Sequence, residues 1–429
     1  MYDPTGSPDD SLPPDNREGL WGNSRSNHLT SSGRRLISTS KGFQMKLDDS
    51  RYRWAMVGFL GVISVVLLTT ALWPKAVPPT PPTNVVVDPE ATLPLPVLET
   101  PSGQKFFGGW VKDDDAIAAN INPLVTQQFA LTPAGQAVRG DEDVFLWRAV
   151  RKVANKGPPW YPNVNQKSVG CCVGCGWKHG ADVCQAMQIV GGALFEWKPI
   201  SVESIYGPSR VEAGRGRIRG DGSVGAWAKD AVEKVGTLPM EILPGGYDLS
   251  VFSPERARQW GNSGMPDALE PIAREHSIQG CALVRNWTDV KKAIVQGYPV
   301  AVCSNQGFQM TRDQDGFCRA SGSWAHCMVI IGVRVGPREG GFILNSWGDR
   351  AHTGPVWPED APVAGFWADS RTIDRMVSQG DSFALADLKG FPARTLPDFI
   401  IKKNGDHLNR VFTRVKNPIT RDEVFALAP

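Results

Sequence analysis

The sequence predicts an α+β protein of two lobes that follows one membrane-spanning helix. Three observations indicate this fold class. Residues 54–73 form an uncharged apolar run, and apolar residues then recur at helical intervals in several segments between 142 and 297. From residue 299 onward the pattern changes to short β-branched runs separated by Gly, Pro and Asp. Helices followed by strands predict separate helical and sheet lobes with a cleft between them.

The apolar run "WAMVGFLGVISVVLLTTALW" has the length that a helix needs to cross the roughly 30 Å hydrocarbon layer of a membrane. Trp54 and Trp73 stand at its two ends, where interfacial aromatic residues are typical, and Pro74 follows at once. We therefore predict a transmembrane signal anchor. A cleaved signal peptide that starts at Met45, with small residues around Ala71 or Ala76, is the alternative.

The charges that flank this run predict its orientation. Only Lys75 follows it before Lys105, whereas six basic residues precede it: Arg34, Arg35, Lys41, Lys46, Arg51 and Arg53. The positive-inside rule then keeps the N-terminus in the cytoplasm. We expect a single-pass protein of the cell membrane whose remaining chain is extracytoplasmic. The overall net charge of +2 gives no reason to expect a nucleic-acid partner.

Composition divides the rest of the chain. Residues 1–53 are polar and poor in apolar side chains, which predicts a disordered cytoplasmic tail, and residues 74–104 are a proline-rich stalk. A globular domain is expected over 105–392. Residues 393–429 form a C-terminal extension that either docks on this domain or offers a strand to a partner.

Helical spacing within the globular domain predicts helices at 142–155, from about Cys172, at 224–236 and at 288–297. Thr288 is the expected cap of the last of these, and Gly297 its end. The expected strands are "PVAVCSN", "CMVIIGVRV", "GFILNSWG" and "SFALADL".

The stretch "NVNQKSVGCCVGCGWKHG", residues 163–180, contains three cysteines and permits three interpretations. The spacing Cys172-x2-Cys175-x3-His179-x4-Cys184 resembles a zinc knuckle that is one residue short. An extracytoplasmic domain with eight cysteines could also carry disulfides, although the adjacent Cys171 and Cys172 can scarcely bridge without strain. The third interpretation is a nucleophile at a helix start.

A nucleophilic thiol needs a lowered pKa, a base and a donor for an oxyanion. Cys172 stands where the predicted helix begins, and a helix N-terminus favours the thiolate. Among six histidines His326 is distinctive, because it opens the strand "HCMVIIGVRV". This strand turns at "GPREGG" and returns as "GFILNSWG", so Asn345 is expected beside His326 across a hairpin.

Three separated stretches resemble the papain-like cysteine peptidases. "QKSVGCC" sets Gln166 six residues before Cys172, as in the family motif Q-G-S-x-G-S-C. "HCMVIIG" is similar to the strand that carries the family's histidine, and "NSWG" is present unchanged at Asn345 to Gly348. The resemblance spans about residues 158–392 and is strong only at these motifs.

This resemblance implies a papain-like two-lobe fold, with a helical lobe and an antiparallel β-barrel lobe, and a peptidase that acts on polypeptides without a cofactor or metal. The implied catalytic residues are Cys172 as nucleophile, His326 as its partner, Asn345 as the residue that orients His326, and Gln166 as oxyanion donor. The implied substrate-binding residues are Gly222 and Ser223, as backbone contacts, and Trp347, which shields the hydrogen bond between Asn345 and His326 from water.

Departures from the family pattern leave alternatives open. Val173 stands where the family has Trp, and Cys171 where it has Ser. Aligning the family motif on Cys175 would make that residue the nucleophile, but it changes the Gln166 spacing from six to nine. The long helical propeptide of secreted members has no evident counterpart. A non-catalytic peptide-binding module of the same fold and a zinc-binding module remain the rival functions, and the oligomeric state stays open.

Overall fold

The computed structural model describes residues 97–99, 105–137, 142–387 and 389–403 of the chain. The predicted tail at 1–53, the predicted span at 54–73, most of the stalk and the end of the C-terminal extension lie outside these residues. Within the described ranges no helix combines the length and apolar character needed to cross a bilayer. The anchor at 54–73 therefore stays a prediction.

The described residues form an α+β structure. Its helices are α1 (Asp114–Ile121), α2 (Pro133–Gln136), α3 (Trp147–Val153), α4 (Cys172–Val190), α5 (Glu203–Pro208), α6 (Gly225–Lys234), α7 (Pro254–Ser263), α8 (Glu270–Glu275), α9 (Trp287–Ile294) and α10 (Ser370–Val377). Its strands are β1 (Val97–Glu99), β2 (Lys105–Phe107), β3 (Glu142–Phe145), β4 (Ile242–Leu243), β5 (Tyr247–Asp248), β6 (Gly280–Leu283), β7 (Val300–Arg312), β8 (Cys318–Arg334), β9 (Gly340–Leu344), β10 (Gly365–Asp369), β11 (Ser382–Ala386) and β12 (Ile401–Lys403).

One antiparallel sheet dominates the second half of the chain, in the order β10-β9-β8-β7-β11-β6, with β3 also paired to β8 and β12 to β3. No closed barrel is found among the described strands, because β10 and β6, the first and last strands of this order, do not pair with each other. Other segments cover both edges: the Leu283 amide donates to the Gln127 carbonyl, and the Trp367 amide to the Gly316 carbonyl. Covered edges need no closure of the sheet.

The helix α4 packs directly on this sheet and is buried along most of its length. Glycines on its inner face permit this close approach. A Cβ atom at Gly176 would lie 3.0 Å from the Met328 carbonyl oxygen of β8, and one at Gly180 would lie 2.9 Å from Leu385 of β11. The helix thus brings its first residue, Cys172, against the middle of β8.

Apolar side chains form a large core around the sheet and a separate cluster between α4 and the sheet. The cluster between them contains Cys172, Trp177, Cys327 and Phe383. Smaller clusters on the far side of α4 lie among α5, α7 and the following loops. The helical and sheet parts therefore meet along α4, where the sequence places its nucleophile candidate.

Several predicted elements are confirmed, among them α4 beginning at Cys172, the helix α6 within 224–236 and the four strands quoted above. The prediction of one helix over 142–155 is partly wrong. Glu142–Phe145 form β3, because Val144 and Phe145 pair with Val333 and Gly332 of β8, and the helix begins at Trp147. The cap of α9 is Asn286 rather than Thr288, since the Asn286 side chain accepts from the Asp289 amide.

Candidate active site

Cys172 lies at the first turn of α4, where the helix meets the sheet. Its thiol is fully buried, and the sulfur accepts a hydrogen bond from the backbone amide of Cys327 at 3.3 Å. Cys327 follows His326 directly in β8. This hydrogen bond therefore ties the thiol to the part of β8 that carries the predicted histidine.

His326 and Asn345 come together as the hairpin pattern predicts. Asn345 directly follows β9, which is the antiparallel neighbour of β8. The His326 Nε2 atom lies 2.9 Å from the Asn345 Oδ1 atom, and because that oxygen only accepts, Nε2 carries a proton. The Trp347 ring stacks on His326 with centroids 4.4 Å apart and planes inclined by 28°. The Asn345 hydrogen bond is thereby buried beneath an indole.

The thiol and the imidazole are not paired in this arrangement. The Nδ1 atom of His326 is buried and has no hydrogen-bond partner among the described residues. Burial raises the pKa of the Cys172 thiol well above its usual value, and the neighbouring Cys327 thiol acts in the same direction. Burial also lowers the pKa of His326 to about 4, and the Asn345 hydrogen bond offsets this only in part. Both groups are therefore neutral near pH 7.

Gln166 and Trp347 hold a backbone carbonyl of the chain itself. The Gln166 Nε2 atom and the Trp347 Nε1 atom each donate to the Phe107 carbonyl oxygen at 3.0 Å. The orientation of the Gln166 amide is fixed from its other side, where the Ser346 hydroxyl donates to Oε1 at 2.6 Å. Two N–H groups from separate parts of the chain thus converge on one carbonyl oxygen, as they would on a bound peptide.

Residues 105–111, here called the cleft segment, bind across this site by backbone hydrogen bonds. The Gly109 and Trp110 amides donate to the Ala325 carbonyl at 2.8 and 3.1 Å. On the opposite side, the Ser223 amide donates to the Gly109 carbonyl at 2.8 Å, and the Val111 amide donates to the Ser223 carbonyl at 2.9 Å. At Gly109 an added Cβ would lie 2.1 Å from the Gly170 carbonyl oxygen, so only glycine fits there.

Trp110 fills a pocket beside the thiol. Its ring is 3 % exposed and belongs to the apolar cluster that contains Cys172. The indole Nε1 atom donates to the Asp381 Oδ2 atom at 2.8 Å at the base of this pocket. The Asp381 carboxyl also accepts the Gly225 and Ala226 amides, both at 2.7 Å, at the N-terminus of α6. Burial nevertheless raises the pKa of Asp381 to about 6.

The structure brings most of the predicted site residues together. Gln166, Trp347 and Ser223 form hydrogen bonds with the cleft segment, and Cys172 packs in one cluster with Trp110 of that segment. His326 and Asn345 are hydrogen-bonded to each other beside Trp347. Gly222 is directed elsewhere, because its amide donates to the Tyr206 hydroxyl and its carbonyl accepts from Arg210. Cys175 lies in a different cluster, with Val202 and Tyr206, and its sulfur is 3.9 Å from that of Cys171.

The zinc interpretation does not fit the geometry. Cys172 and Cys184 lie on the single helix α4, and twelve residues of helix span roughly 18 Å, far beyond the reach of one ion. Within the described part of the chain, no group of three or more His, Cys, Asp or Glu residues is placed to hold a metal. All eight cysteines are buried and free of disulfides, so the disulfide interpretation fails as well.

Sequence reasoning missed the cleft segment and Asp381. An acidic residue directly before the apolar strand "SFALADL" is an unusual neighbour for a buried strand, and this was the available signal for Asp381. For the cleft segment, the run "FFGGW" combines aromatic rings with glycines that permit close backbone approach. Neither signal says which part of the fold these residues contact.

Comparisons with known proteins return solved structures only: no family model and no curated protein matches the chain. Xylellain, a cysteine protease from Xylella fastidiosa, is 16% identical with a TM-score of 0.44, over 66% of this chain and 96% of that one. The proform of cathepsin B S9 from Trypanosoma congolense is 10% identical with a TM-score of 0.41, over 65% and 85%. Procathepsin L 3 from Tenebrio molitor larval midgut is 13% identical with a TM-score of 0.37, over 64% and 79%. Similarity at this level leaves the activity to be argued from the site itself.

Replacing Trp110 by Ala in the full-length chain should expose Cys172. Burial of a tryptophan ring contributes on the order of 3–5 kcal/mol, so its loss should favour release of the cleft segment. We expect alkylation of Cys172 by iodoacetamide, followed by peptide mass spectrometry, to become at least about tenfold faster. Trp197→Ala is the matched control, because Trp197 lies outside the site and donates to the Asp182 carbonyl. Equal rates in the two variants would show that Trp110 does not close the site.

Asp381 should make the stability of the fold depend on pH. Its pKa in the folded chain, about 6, is above the ordinary value of 3.8, so its contribution is fully present below about pH 4 and is lost as pH rises through 6. The advantage in unfolding free energy of the wild-type chain over Asp381→Asn, measured by urea denaturation, should therefore decrease from pH 4 to pH 7. An advantage that grows over this range would mean that the pKa is lowered instead.

Proposed function

We propose that this chain is a cysteine peptidase that hydrolyses peptide bonds in polypeptide substrates with Cys172 as its nucleophile. One observation carries the proposal. A peptide segment of the chain itself lies in the site, with the Phe107 carbonyl oxygen held by the Gln166 amide and the Trp347 indole. The buried thiol of Cys172 packs in one apolar cluster with Trp110 of that segment. A site that binds a peptide carbonyl next to a thiol is suited to acyl transfer.

The first chemical step is ionisation of the thiol. When the cleft segment leaves and water enters, the burial that holds the Cys172 pKa high is relieved. The thiol proton then passes to His326 Nδ1. This ring nitrogen has no hydrogen-bond partner among the described residues while the cleft segment is in place, an arrangement called the closed form here. Asn345 accepts from the Nε2–H of the resulting imidazolium and holds its orientation. The start of α4 stabilises the thiolate.

Acyl transfer then follows in two halves. The Cys172 thiolate attacks the scissile carbonyl carbon, and Gln166 Nε2 donates to the oxygen that becomes negative. As this tetrahedral intermediate collapses, the His326 imidazolium gives its proton to the leaving amine, and a thioester remains on Cys172. A water molecule that loses its proton to His326 attacks the thioester and forms a second tetrahedral intermediate. This intermediate breaks its C–S bond, which releases the acid and the Cys172 thiolate, and the thiolate regains a proton from the His326 imidazolium.

In its closed form the chain blocks its own site, and we infer that activity requires displacement or cleavage of the cleft segment. The segment occupies the backbone positions at Ala325 and Ser223 that an extended substrate would use. No long helical propeptide is needed for this blockage, because four residues already reach from the Phe107 carbonyl to the Trp110 pocket.

A second candidate is a non-catalytic module that holds a peptide in the same cleft. The observation that favours it is the closed arrangement itself, in which the Cys172 sulfur accepts the Cys327 amide and the pKa values of the thiol and the imidazole keep both groups neutral. These contacts are sufficient to bind a peptide, and binding without hydrolysis needs no ionised thiol or imidazole.

Substitutions at the two candidate cysteines distinguish these functions. In the full-length chain with Trp110→Ala, we expect Cys172→Ser and His326→Ala each to lower kcat on a fluorogenic peptide library by at least about a thousandfold. Cys175→Ser should retain activity, because Cys175 packs away from the site. A thiol-directed epoxide should label Cys172, detected by mass spectrometry. Peptide binding that persists without hydrolysis or labelling would support the non-catalytic module.

We also propose that the domain is held at the outer face of a cell membrane by residues 54–73, with its N-terminus in the cytoplasm. The length of the run and the basic residues before it support this proposal.

Expression in bacterial cells tests the anchor. The chain should remain with membranes after an alkaline wash, and a protease added to spheroplasts should digest its globular domain. The variant Leu67→Asp with Leu68→Asp should lose membrane retention, because charged residues at the centre of a span are costly. A product that begins near residue 72 to 77 would instead establish the cleaved signal peptide.

A further inference from the structure

Asn345 has a second partner besides His326. Its Nδ2 atom lies 3.0 Å from the Nε2 atom of His352, a buried histidine seven residues further along the chain. Its Oδ1 atom accepts from His326 Nε2 at 2.9 Å and from the Ser346 amide at 2.7 Å. The two ends of the amide therefore face different histidines, and both ends are hydrogen-bonded.

This arrangement requires one protonation state of His352. An amide Nδ2 group only donates, so the facing Nε2 atom of His352 must be an acceptor and the ring proton must sit on Nδ1. That Nδ1 atom lies 3.8 Å from the Cys318 sulfur, on the side of the ring away from Asn345. If the His352 ring were doubly protonated, its Nε2–H would face the Asn345 Nδ2–H groups. This repulsion would favour a rotated Asn345 amide, with its oxygen towards His352. A rotated amide would present Nδ2 to His326 and could not accept its proton.

The surroundings of His352 keep the ring neutral. Burial and the positive charge of Arg312 lower the pKa of His352 to about 3. A hydrogen bond with the Met310 backbone acts in the opposite direction, and His326 lowers the pKa by a smaller amount. Arg312 is itself buried, and its guanidinium donates to the backbone carbonyl of His352 at 3.2 Å and to the Gly365 carbonyl at 2.8 Å. A fixed cation thus lies near His352, held at its backbone carbonyl, while the Asn345 amide faces Nε2.

We propose that His352 is a positioning residue that fixes the Asn345 amide with its oxygen towards His326. The proposal rests on the proposed function, because it concerns how the Cys172 and His326 pair is stabilised. His352 touches neither a substrate nor the reacting atoms. It acts through Asn345, whose oxygen must face the imidazolium for the ion pair to form. In the stretch "NSWGDRAHTG", residues 345–354, His352 follows Asn345 by seven positions, so the acceptor lies on the same loop as the amide that it orients.

The test compares substitutions at His352 in the full-length chain that carries Trp110→Ala. His352→Leu should lower kcat by about 10–100-fold with KM within about twofold, because misorientation affects the chemical step rather than binding. The acid limb of the kcat/KM profile should move to higher pH, since the ion pair becomes less stable. His352→Gln, whose amide oxygen can accept from Asn345 Nδ2, should recover most of the activity and the original acid limb.

Phe342→Leu is the control for lost packing. Phe342 is a buried residue of β9, the strand that leads into Asn345, and its ring contacts Trp147 and Trp367 rather than the histidines. It should lower the melting temperature without moving the pH profile. A His352→Leu profile equal to that of Phe342→Leu would overturn the proposal. If Cys172→Ser is as active as its parent, the proposed function fails instead.

NMR of the histidine rings tests the protonation state of His352 directly and does not need the His352→Leu variant. The ¹⁵N resonances of the six histidine rings distinguish protonated from unprotonated nitrogens, and His352→Gln assigns the signals of His352 by their loss. We expect Nδ1 of His352 protonated and Nε2 unprotonated from pH 7 down to pH 5. A proton on Nε2 in this range would exclude the acceptor role.

Discussion

The hydrogen bond from the Cys327 amide to the Cys172 sulfur is the contact on which the site depends. It joins the first turn of α4 to the middle of β8, so the nucleophile candidate and the histidine strand are held by one interaction. Glycines at 176 and 180 allow the helix to come this close to the sheet. Without that approach, the thiol would be too far from the hairpin that carries His326 and Asn345.

The same close packing of α4 on the sheet buries the thiol and keeps it uncharged in the closed form. Burial favours neutral forms of both Cys172 and His326, and the cleft segment makes backbone hydrogen bonds at Ala325 and Ser223. Under the proposed function, substrate recognition and inhibition use one set of contacts: the carbonyl held by Gln166 and Trp347, the backbone pairs at Ala325 and Ser223, and the Trp110 pocket. Their release changes the dielectric around the thiol, and with it the pKa.

Much of the site could be predicted because its parts are local in sequence. The start of α4 follows from spacing around Cys172, and the β8–β9 hairpin sets Asn345 beside His326 by its register. The missed features depend on contacts between distant segments. Phe107 reaches Gln166 and Trp347, Trp110 reaches Asp381 across 271 positions of sequence, and neither separation leaves a periodic pattern. Strand β3 was missed for the same reason, since pairing with β8 overrides its helical spacing.

The central claim, that Cys172 carries the acyl group, is tested most directly by trapping the intermediate. The full-length chain with Trp110→Ala would be mixed with an activated peptide ester, quenched in acid within milliseconds to seconds, and analysed by intact mass and peptide mapping. The account predicts a mass increase equal to the peptide acyl group, located on Cys172 and removed by hydroxylamine. An adduct on Cys175, or substrate turnover without any thioester, would contradict it.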